Sequence, residues 1–403
     1  MLDLVLVSLP DWVSANPKMY FPLSLLYVGA MAHKEGYKVR IVDFRDRAGQ
    51  LPEARYYGFT SATPQISVAK ELAISAKTQY PNAKTVIGGA HASLLPGDCL
   101  GFFDHIVKGE GEYAILDILK GKGNTFMQMP RILNLDDVPF PAWDMIADPF
   151  SETLFPGERY GTGEKAMTII GSRGCPYSCS FCGNIHQVPV IYRSSENIVE
   201  ELKELQHRGI RHFRFEDDNF TVHPNFTRLC LEVGKLGIRY KCHTRSKLLT
   251  ENMARLMKES GCEECGLGVE SADNKVLVLN NKKELAEDHK QAIEILHLVG
   301  LRAKTYFVAG LPGEDNNTLY ENMKFIKETK PDKWTLSTFT PYPGCPVYDD
   351  PAKYGIKIID ENFANWWNYV PDHFNHIIKG QTAADLWQRY VQFYEFLKGE
   401  EWR

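Results

Sequence analysis

Strand-like and helix-like segments alternate along most of the chain, and no other feature of the sequence constrains the fold as much. Between residues 166 and 348, six apolar segments of strand length alternate with segments whose apolar residues recur at helical spacing. The predicted strands cover residues 166–174, 212–222, 238–246, 262–271, 301–314 and 333–346. Such alternation places parallel strands in one sheet with helices packed outside it, so we expect an α/β fold.

The first 120 residues repeat this alternation on a smaller scale. Predicted helices at 22–37 and 67–81 combine with five predicted strands, at 2–10, 38–44, 56–62, 83–93 and 104–115. This order predicts a doubly wound, Rossmann-like domain. Gly88 and Gly89 stand near the end of the fourth strand, where glycine lets a ligand approach backbone N–H groups. The sequence contains neither G-x-G-x-x-G nor G-x4-G-K-[ST], so ordinary dinucleotide and P-loop binding lose support.

Three of the nine cysteines lie within eight residues, with the spacing C-x3-C-x2-C. Cys175, Cys179 and Cys182 can therefore ligate one compact metal centre, because a short loop can turn all three sulfurs inward. A disulfide framework is disfavoured, since the number of cysteines is odd and the start of the sequence shows no secretory signal. Two centres fit: zinc with His186 as a fourth ligand, or a [4Fe–4S] cluster with one open iron. The aromatic Phe181 directly before the last cysteine favours the cluster.

The pattern formed by Cys175, Cys179, Phe181 and Cys182 resembles the signature of the radical S-adenosylmethionine (SAM) superfamily. The resemblance implies a partial (β/α)6 barrel and a [4Fe–4S] cluster whose open iron binds the amino and carboxylate groups of SAM. It also implies that one electron cleaves SAM to methionine and a 5′-deoxyadenosyl radical, which abstracts hydrogen from a substrate. An external reductant of flavodoxin or ferredoxin type would supply that electron.

Polar residues occur at the carboxyl ends of the predicted strands, where parallel α/β sheets gather their chemistry. By resemblance, the positions that bind SAM are Phe181, Asp217, Arg245, Glu270, Ser271, Gly310 and Pro312. The resemblance makes Arg245 and Glu270 partners of the SAM carboxylate and ribose, and the backbone at Gly310 the adenine contact. The alternative is a structural ion pair between Arg245 and Glu270, because buried charges need partners.

Residues 1–120 resemble the cobalamin-binding domain that precedes the barrel in one large radical SAM subgroup, on the segments PLSLLYVGA, VIGGAHAS and VKGEGE. The resemblance implies a cobalamin cofactor near Gly88, Gly89, His91 and Ser93. Many members of that subgroup are methyltransferases, in which methylcobalamin delivers a methyl group to a carbon radical. A second SAM molecule then remethylates the cobalamin. Two features depart from the pattern: D-x-H-x-x-G is absent, and residues 45–55 are too few for a crossover helix.

The composition and the remaining segments limit where this protein is expected and what it is expected to bind. The net charge of −5 argues against binding to nucleic acid or anionic membranes that is driven by the overall charge of the protein. No apolar run could span a bilayer and no signal peptide is recognisable, so we expect a cytoplasmic protein. The predicted domains are residues 1–120, a proline-rich linker at 121–165, the barrel at 166–348 and a helical tail at 349–403.

The other cysteines predict packing rather than chemistry. We expect Cys262 and Cys265 to be core thiols on opposite faces of one strand, because their separation is odd. Cys345 fits either a free loop thiol or a position at the mouth of the active site. His243 fits a packed histidine slightly better than a site residue.

One hypothesis and two alternatives follow for the function. The leading hypothesis is cobalamin-dependent methylation of an unactivated carbon in a small-molecule or peptide substrate. The first alternative, motivated by the short 45–55 connection, is a cobalamin-independent rearrangement or cyclisation, with a vestigial N-terminal domain. The second alternative is a non-catalytic metal-binding or electron-transfer protein, which the polar strand ends disfavour.

Overall fold

A computed structural model describes residues 1–11, 21–46, 49–146, 166–183, 189–368 and 373–400. The chain divides into two compact units. The first comprises Met1–Gly163 together with Asn362–Trp366, and the second comprises Glu164–Glu361 together with Trp367–Arg403.

The first unit is built on a parallel sheet. Its strands are β1 (Leu2–Ser8), β2 (Val39–Asp43), β3 (Ala54–Thr60), β4 (Lys84–Gly88), β5 (His105–Lys108) and β6 (Phe126–Gln128). Its helices are α1 (Leu23–Lys34), α2 (Ile66–Gln79), α3 (Gly89–Leu94), α4 (Pro96–Cys99) and α5 (Gly111–Leu119). The strands lie in the order β2-β1-β3-β4-β5-β6, which reverses beside β1. The doubly wound arrangement predicted from the sequence is therefore confirmed.

Three details of this sheet differ from the prediction. The sheet has six strands rather than five, because β6 forms inside the segment predicted as a linker. Strands β4 and β5 end early, and α3 and α5 follow where the sequence predicts longer strands. Gly89 and Gly109 explain both endings, since their φ angles of 89° and 97° lie in the left-handed region, which a continuing strand does not allow.

The core of the first unit places strand side chains against a face of small residues. Tyr57 and Phe59 from β3 belong to this core together with three alanines of α2, Ala69, Ala73 and Ala76. Phe363, from the distant segment Asn362–Trp366, also packs against it. The described residues between β2 and β3 contain no helix, in agreement with the short connection in the sequence.

The second unit contains the barrel sheet and two short ladders. Its strands are β7 (Ala166–Ile169), β8 (Ser172–Arg173), β9 (Ile191–Tyr192), β10 (His212–Phe215), β11 (Arg239–Thr244), β12 (Cys262–Glu270), β13 (Arg302–Ala309), β14 (Lys333–Thr338), β15 (Ile356–Ile358) and β16 (His376–Ile378). Its helices are α6 (Ser195–His207), α7 (Phe226–Gly234), α8 (Glu251–Glu259), α9 (Asn274–Leu279), α10 (Ala286–Leu298), α11 (Asn316–Thr329), α12 (Pro346–Asp349) and α13 (Ala383–Gly399). Six parallel strands lie in the order β14-β13-β12-β11-β10-β7, which confirms the partial barrel.

Helices cover one face of this sheet. The ring of Phe307 on β13 lies 6.2 Å from Phe325 on α11 and 5.2 Å from Phe393 on α13. Helix α13 begins with a capping box formed by Thr382 and Asp385, and it buries apolar residues at helical spacing, as predicted for the tail. The ladder of β15 with β16 was not predicted, because each strand has only three residues.

Replacing Gly89 with alanine should destabilise the first unit. A Cβ at this position would lie 2.5 Å from Thr60 Oγ1, and the φ of 89° is unfavourable for any residue with a side chain. We expect Gly89→Ala to lower the free energy of unfolding by about 1–3 kcal/mol in chemical denaturation. The matched control is Gly97→Ala, because a Cβ at Gly97 meets no atom within 4 Å. Equal denaturation midpoints for the two variants would contradict this explanation of the turn.

Candidate active site

The three clustered cysteines lie in a loop whose base is the antiparallel pair of β8 with β9. Cys179 is buried, whereas Cys175 and Cys182 are partly exposed, and none of the three forms a disulfide bond. Gly174 begins the loop with a φ of 108°, and the Cys182 N–H donates to the Cys179 carbonyl (3.1 Å). The backbone therefore turns back on itself between Cys179 and Cys182. His186, the fourth ligand of the zinc interpretation, lies outside the described residues.

Two asparagines that the sequence analysis missed hold this loop. Asn280 is fully buried. Its backbone carbonyl accepts a hydrogen bond from the Ser180 N–H (3.0 Å), and its side-chain Oδ1 accepts one from Ser180 Oγ (3.0 Å). Its Nδ2 donates to the Pro312 carbonyl (2.9 Å). Asn281 Nδ2 donates to the Ser178 carbonyl (2.8 Å). Both follow the last turn of α9, and Asn281 has a φ of 52°, a conformation that asparagine tolerates after a helix. The Asn-Asn pair after a helical segment is the signal that could have identified them.

The surroundings of the loop suit a negatively charged iron–sulfur cluster. Arg245 Nη1 lies 3.6 Å from Cys179 Sγ, and the guanidinium stacks 3.9 Å from the ring centre of Tyr177. Burial raises the pKa of Cys175, while the Tyr177 N–H and the charge of Arg245 oppose that rise and would stabilise a thiolate. Phe181 is half-buried in the same loop. Three sulfurs beside a cation are a donor set that fits a cluster with one open iron.

The zinc interpretation requires a closed site in which protein side chains surround a single metal ion. The described residues contain no group of three His, Cys, Asp or Glu side chains that could hold one ion. The described residues include the three loop cysteines and not His186, so this absence does not separate the zinc interpretation from a cluster.

Arg245 and Glu270 lie close to the loop but pair with other residues. Arg245 Nη2 lies 3.0 Å from Glu284 Oε2, and Glu270 Oε1 lies 3.1 Å from Lys282 Nζ. Lys282 also lies 3.6 Å from Glu284, so the four charges form one network. The alternative of a direct Arg245–Glu270 pair is therefore wrong. Burial opposes the charge of Lys282, but the two carboxylates outweigh burial and raise its pKa.

The backbone at Glu270 is strained. Its φ of 62° lies in the left-handed region, and the pairing of β12 with β13 is irregular between Gly268 and Glu270. A Cβ on Gly268 would lie 2.6 Å from Glu270 Oε1, so this glycine makes room for the carboxylate. Such strain persists where the surroundings impose one orientation, here towards Lys282. The sequence analysis missed Lys282 and Glu284 because the run NNKKE is typical of an exposed, charged segment.

The turn after β13 is anchored on both sides of Gly310. Its N–H donates to Glu314 Oε2 (2.7 Å), and its carbonyl accepts from His376 Nε2 (2.8 Å). Burial raises the pKa of Glu314 to about 7 and lowers that of His376 to about 4. With a φ of 85° and a Cβ position 2.5 Å from Phe374, only glycine fits. The adenine contact at Gly310 and Pro312 stays a prediction.

Asp217 and Ser271 are turned towards protein groups. Asp217 Oδ2 accepts from the Gly171 N–H (3.0 Å), and its Oδ1 accepts from Ser172 Oγ (2.5 Å). Burial raises the pKa of Asp217 to about 6. Ser271 Oγ accepts from the Asp273 N–H (3.1 Å). Asp217 thus fixes the segment that leads into the cysteine loop, and contact of either residue with SAM stays a prediction.

The residues predicted to contact cobalamin fall into two groups. Gly88 and Gly89 are partly exposed at the carboxyl end of β4. His91 is fully buried, with Nε2 3.0 Å from Asp98 Oδ2 and Nδ1 3.3 Å from a threonine hydroxyl, and burial lowers its pKa. Ser93 Oγ accepts from a backbone N–H (3.1 Å). The glycines therefore remain accessible to a ligand, while His91 and Ser93 bond within the unit.

The remaining cysteines are structural. Cys262 and Cys265 are buried, as predicted, but both approach Cys242, whose Sγ lies 4.0 Å from Cys262 Sγ. Their predicted placement on opposite faces is wrong, because the pairing of β11 with β12 shifts register beside Tyr240. Cys345 Sγ accepts from a backbone N–H at the start of α12, and burial raises its pKa to about 11.

Comparisons with known proteins agree with this geometry. Residues 169–326 match the radical SAM superfamily, and residues 17–119 match the B12 binding domain. An uncharacterized methyltransferase of Pyrococcus horikoshii is 26% identical over 438 residues, covering 97% of this chain and 92% of that protein. Bacteriochlorophyllide d C-12(1)-methyltransferase of Chlorobaculum tepidum is 25% identical over 413 residues, covering 96% of this chain and 86% of that protein. The radical SAM methyltransferase TsrM of Kitasatospora setae, solved with cobalamin and a [4Fe–4S] cluster, shares this fold with a TM-score of 0.74. The match has 15% sequence identity and covers 99% of this chain and 89% of the TsrM chain.

A B12-binding domain is thus followed by a radical SAM domain in one polypeptide. Over most of its length the chain is similar in sequence to methyltransferases, and it shares the fold of TsrM. The predicted cofactors, a [4Fe–4S] cluster, SAM and cobalamin, are those that a radical SAM domain and a B12-binding domain imply. Among the described helices, none has the length and apolar character needed to cross a membrane.

Asn280→Ala should weaken the cysteine loop. The substitution removes three side-chain hydrogen bonds at a fully buried position and leaves Ser180 Oγ and the Pro312 carbonyl without these partners. We expect the free energy of unfolding to fall by about 2–4 kcal/mol and the iron retained after anaerobic reconstitution to fall below half. The control is Asn317→Ala, on the exposed surface of α11. Wild-type iron content in Asn280→Ala would contradict the role of this asparagine.

Asp217→Asn tests the buried carboxylate. Its folded pKa of about 6 exceeds the unperturbed 3.8, so its charge costs stability above pH 6 and costs nothing below about pH 4. Asparagine keeps an acceptor for the Gly171 N–H without the charge. We expect Asp217→Asn to raise the free energy of unfolding at pH 8 by about 1–3 kcal/mol, with the gain shrinking towards pH 4.5 in urea titrations. The exposed neighbour Asp218→Asn is the control, and a gain that does not change with pH would refute the prediction.

Proposed function

We propose that this protein methylates an unactivated carbon of a small-molecule or peptide substrate, with cobalamin as the methyl carrier. The observation that carries the proposal is a three-cysteine loop beside the buried Arg245, in a chain that also holds a B12-binding domain. The Chlorobaculum tepidum relative, a methyltransferase for carbon C-12(1) of bacteriochlorophyllide d, supports a carbon acceptor.

The chain's own residues bind and position the reactants. When bound, the cofactors supply one-electron cleavage of SAM, a radical that abstracts hydrogen, and a methyl donor. Cys175, Cys179 and Cys182 would ligate the cluster, and a flavodoxin- or ferredoxin-type protein would deliver the electron. Arg245 holds a positive charge 3.6 Å from Cys179 Sγ, where it would offset the charge of the cluster and of the SAM carboxylate.

Glu270 is suited to bind hydroxyl groups. Its side chain is 14% exposed, and Lys282 holds one of its oxygens at 3.1 Å, which leaves acceptor capacity for a ribose. Lys282 and Glu284 would act as positioning residues, because they orient Glu270 and Arg245 before any ligand arrives.

The proposal predicts a fixed ratio of SAM products. Each methylation should consume two SAM molecules: one donates its methyl group and leaves S-adenosylhomocysteine, and the other yields methionine and 5′-deoxyadenosine. Anaerobic turnover with trideuteromethyl-SAM, cobalamin and fractionated metabolites or peptides should therefore give equal amounts of S-adenosylhomocysteine, 5′-deoxyadenosine and trideuteromethylated product, measured by mass spectrometry.

A pair of cysteine variants provides the control. Cys182→Ala should abolish 5′-deoxyadenosine, whereas Cys345→Ser, which keeps an acceptor at the start of α12, should retain it. Formation of 5′-deoxyadenosine without S-adenosylhomocysteine, by a protein that loses cobalamin on desalting, would replace methylation with a cobalamin-independent rearrangement or cyclisation.

A further inference from the structure

A groove on the surface of the second unit borders the segment that holds the cysteine loop, and the proposed function does not use it. Its volume is about 330 Å³. It is formed by the turn after β11, by helix α9 and by the residues that lead into α10. The residues that line it are Lys247, Val278, Asn281, Lys283, Glu284 and Leu285.

The groove lies directly beside one of the three loop cysteines. Asn281 Nδ2 donates to the Ser178 carbonyl (2.8 Å), and Ser178 precedes Cys179. Because consecutive Cα atoms are about 3.8 Å apart, the amide of Asn281 lies within about 10 Å of the Cys179 sulfur. Glu284 gives a second connection, since it lies 3.0 Å from Arg245, whose Nη1 is 3.6 Å from the same sulfur. A molecule in the groove is therefore close to the proposed cluster.

The charges that the groove presents to solvent are positive. Lys247 and Lys283 are both exposed, and neither forms an ion pair with a residue that the structure describes. Glu284 is the one carboxylate among the lining residues, and its side chain is only 1% exposed. Its Oε1 accepts from the Lys247 N–H (2.8 Å), and its Oε2 faces Arg245 and Lys282. The charge of Glu284 is thus compensated inside the protein.

Acidic residues that are close in sequence bond other groups. Glu287 accepts from an asparagine amide (3.2 Å), and Asp288 accepts from the first N–H before α10 (2.8 Å). Glu251 pairs with Arg255, one turn further along α8. None of these three carboxylates lines the groove or forms a described ion pair with its two lysines. An approaching anionic surface therefore finds both ammonium groups available.

The groove also offers apolar contact area on a fixed backbone. Val278 is 69% exposed and Leu285 is 41% exposed. Between them, Asn281 and Lys283 have left-handed φ angles of 52° and 62°, and such strain persists only where the surroundings impose it. Electron-transfer complexes between proteins are typically weak and bury less than about 1,200 Å² in total. A small, rigid apolar surface with cations beside it suits a complex of that kind with an acidic protein.

We propose that this groove is the docking surface for a small acidic electron-carrier protein. The assignment rests on the proposed function in one respect, because cleavage of SAM there needs an electron from outside the chain. One electron leaves the reduced carrier, which is oxidised by one electron, and reduces the cluster held by the cysteine loop. No proton or chemical group is transferred in this step.

Carbodiimide cross-linking tests where the carrier binds. The reagent joins lysine ammonium groups to carboxylates that touch them, and mass spectrometry identifies the linked residues. With the cluster-loaded protein and flavodoxin, an acidic carrier, under anaerobic conditions, we expect the links to form at Lys247 and Lys283. Salt at about 1 M, where the Debye length is about 3 Å, should remove them. Links that form only at other lysines would overturn the proposal.

Electron delivery provides a second readout that needs no substrate. Formation of 5′-deoxyadenosine from SAM is measured with reduced flavodoxin, with reduced ferredoxin or with dithionite. The carrier-driven rates should fall about threefold in the double variant Lys247→Gln, Lys283→Gln, and about tenfold or more in Lys247→Glu, Lys283→Glu, because charges at the edge of an interface govern association. The dithionite-driven rates should stay near that of wild type, since a small reductant needs no docking surface.

The matched control is Lys203→Glu, on the exposed side of α6, a helix that does not line the groove. It should leave all the rates unchanged. Carrier-driven rates that do not respond to the groove substitutions, or that fall only as much as the dithionite-driven rates, would contradict docking in the groove. So would a wild-type protein that accepts electrons from dithionite but from neither carrier. Failure of methyl transfer alone leaves the cross-links and the 5′-deoxyadenosine rates unchanged, so the two proposals fail separately.

Discussion

Arg245 and Lys282 are buried cations, and each is compensated by a carboxylate within 3.1 Å. Removing one partner of such a pair leaves an uncompensated buried charge and costs about 3–5 kcal/mol. This requirement fixes the ends of β11 and β12 relative to residues 280–284. The same short segment supplies Asn280 and Asn281, which hold the cysteine loop. Charge compensation and placement of the sulfurs therefore depend on one stretch of five residues, and a shift in it would disturb both.

The fold was largely predictable because its signals are local. Strand and helix periodicity are properties of neighbouring residues, and the cysteine spacing lies within eight residues. What escaped prediction arises from tertiary packing. Lys282 and Glu284 are unremarkable in a charged run until β11 and β12 bring partners to them. The direction of a side chain is equally invisible in the sequence: Asp217 stands at a strand end, as expected, but its oxygens bond Gly171 and Ser172.

The two ends of the barrel sheet differ in their electrostatics. At the carboxyl ends, Arg245, Lys282, Glu270 and Glu284 balance one another. Towards the amino ends, Glu264 lies within 3.7 Å of Lys333, Arg302 and Lys241. Between them, His243 and Tyr306 pack at 5.5 Å between ring centres, on either side of Gly266, where a Cβ would lie 2.4 Å from His243 Nδ1. Burial lowers the pKa of His243 to about 3, so this histidine is a neutral packing residue, as favoured from the sequence.

The segment Asn362–Trp366 belongs to the first unit, whereas the residues on both sides of it belong to the second. The polypeptide consequently passes between the units three times, and no continuous stretch of sequence encodes the whole first unit. A gene fragment that stops at residue 163 would lack Phe363, which packs on the core of that unit and lies 5.5 Å from the ring of His91. Recombination at a single breakpoint therefore cannot exchange either unit intact.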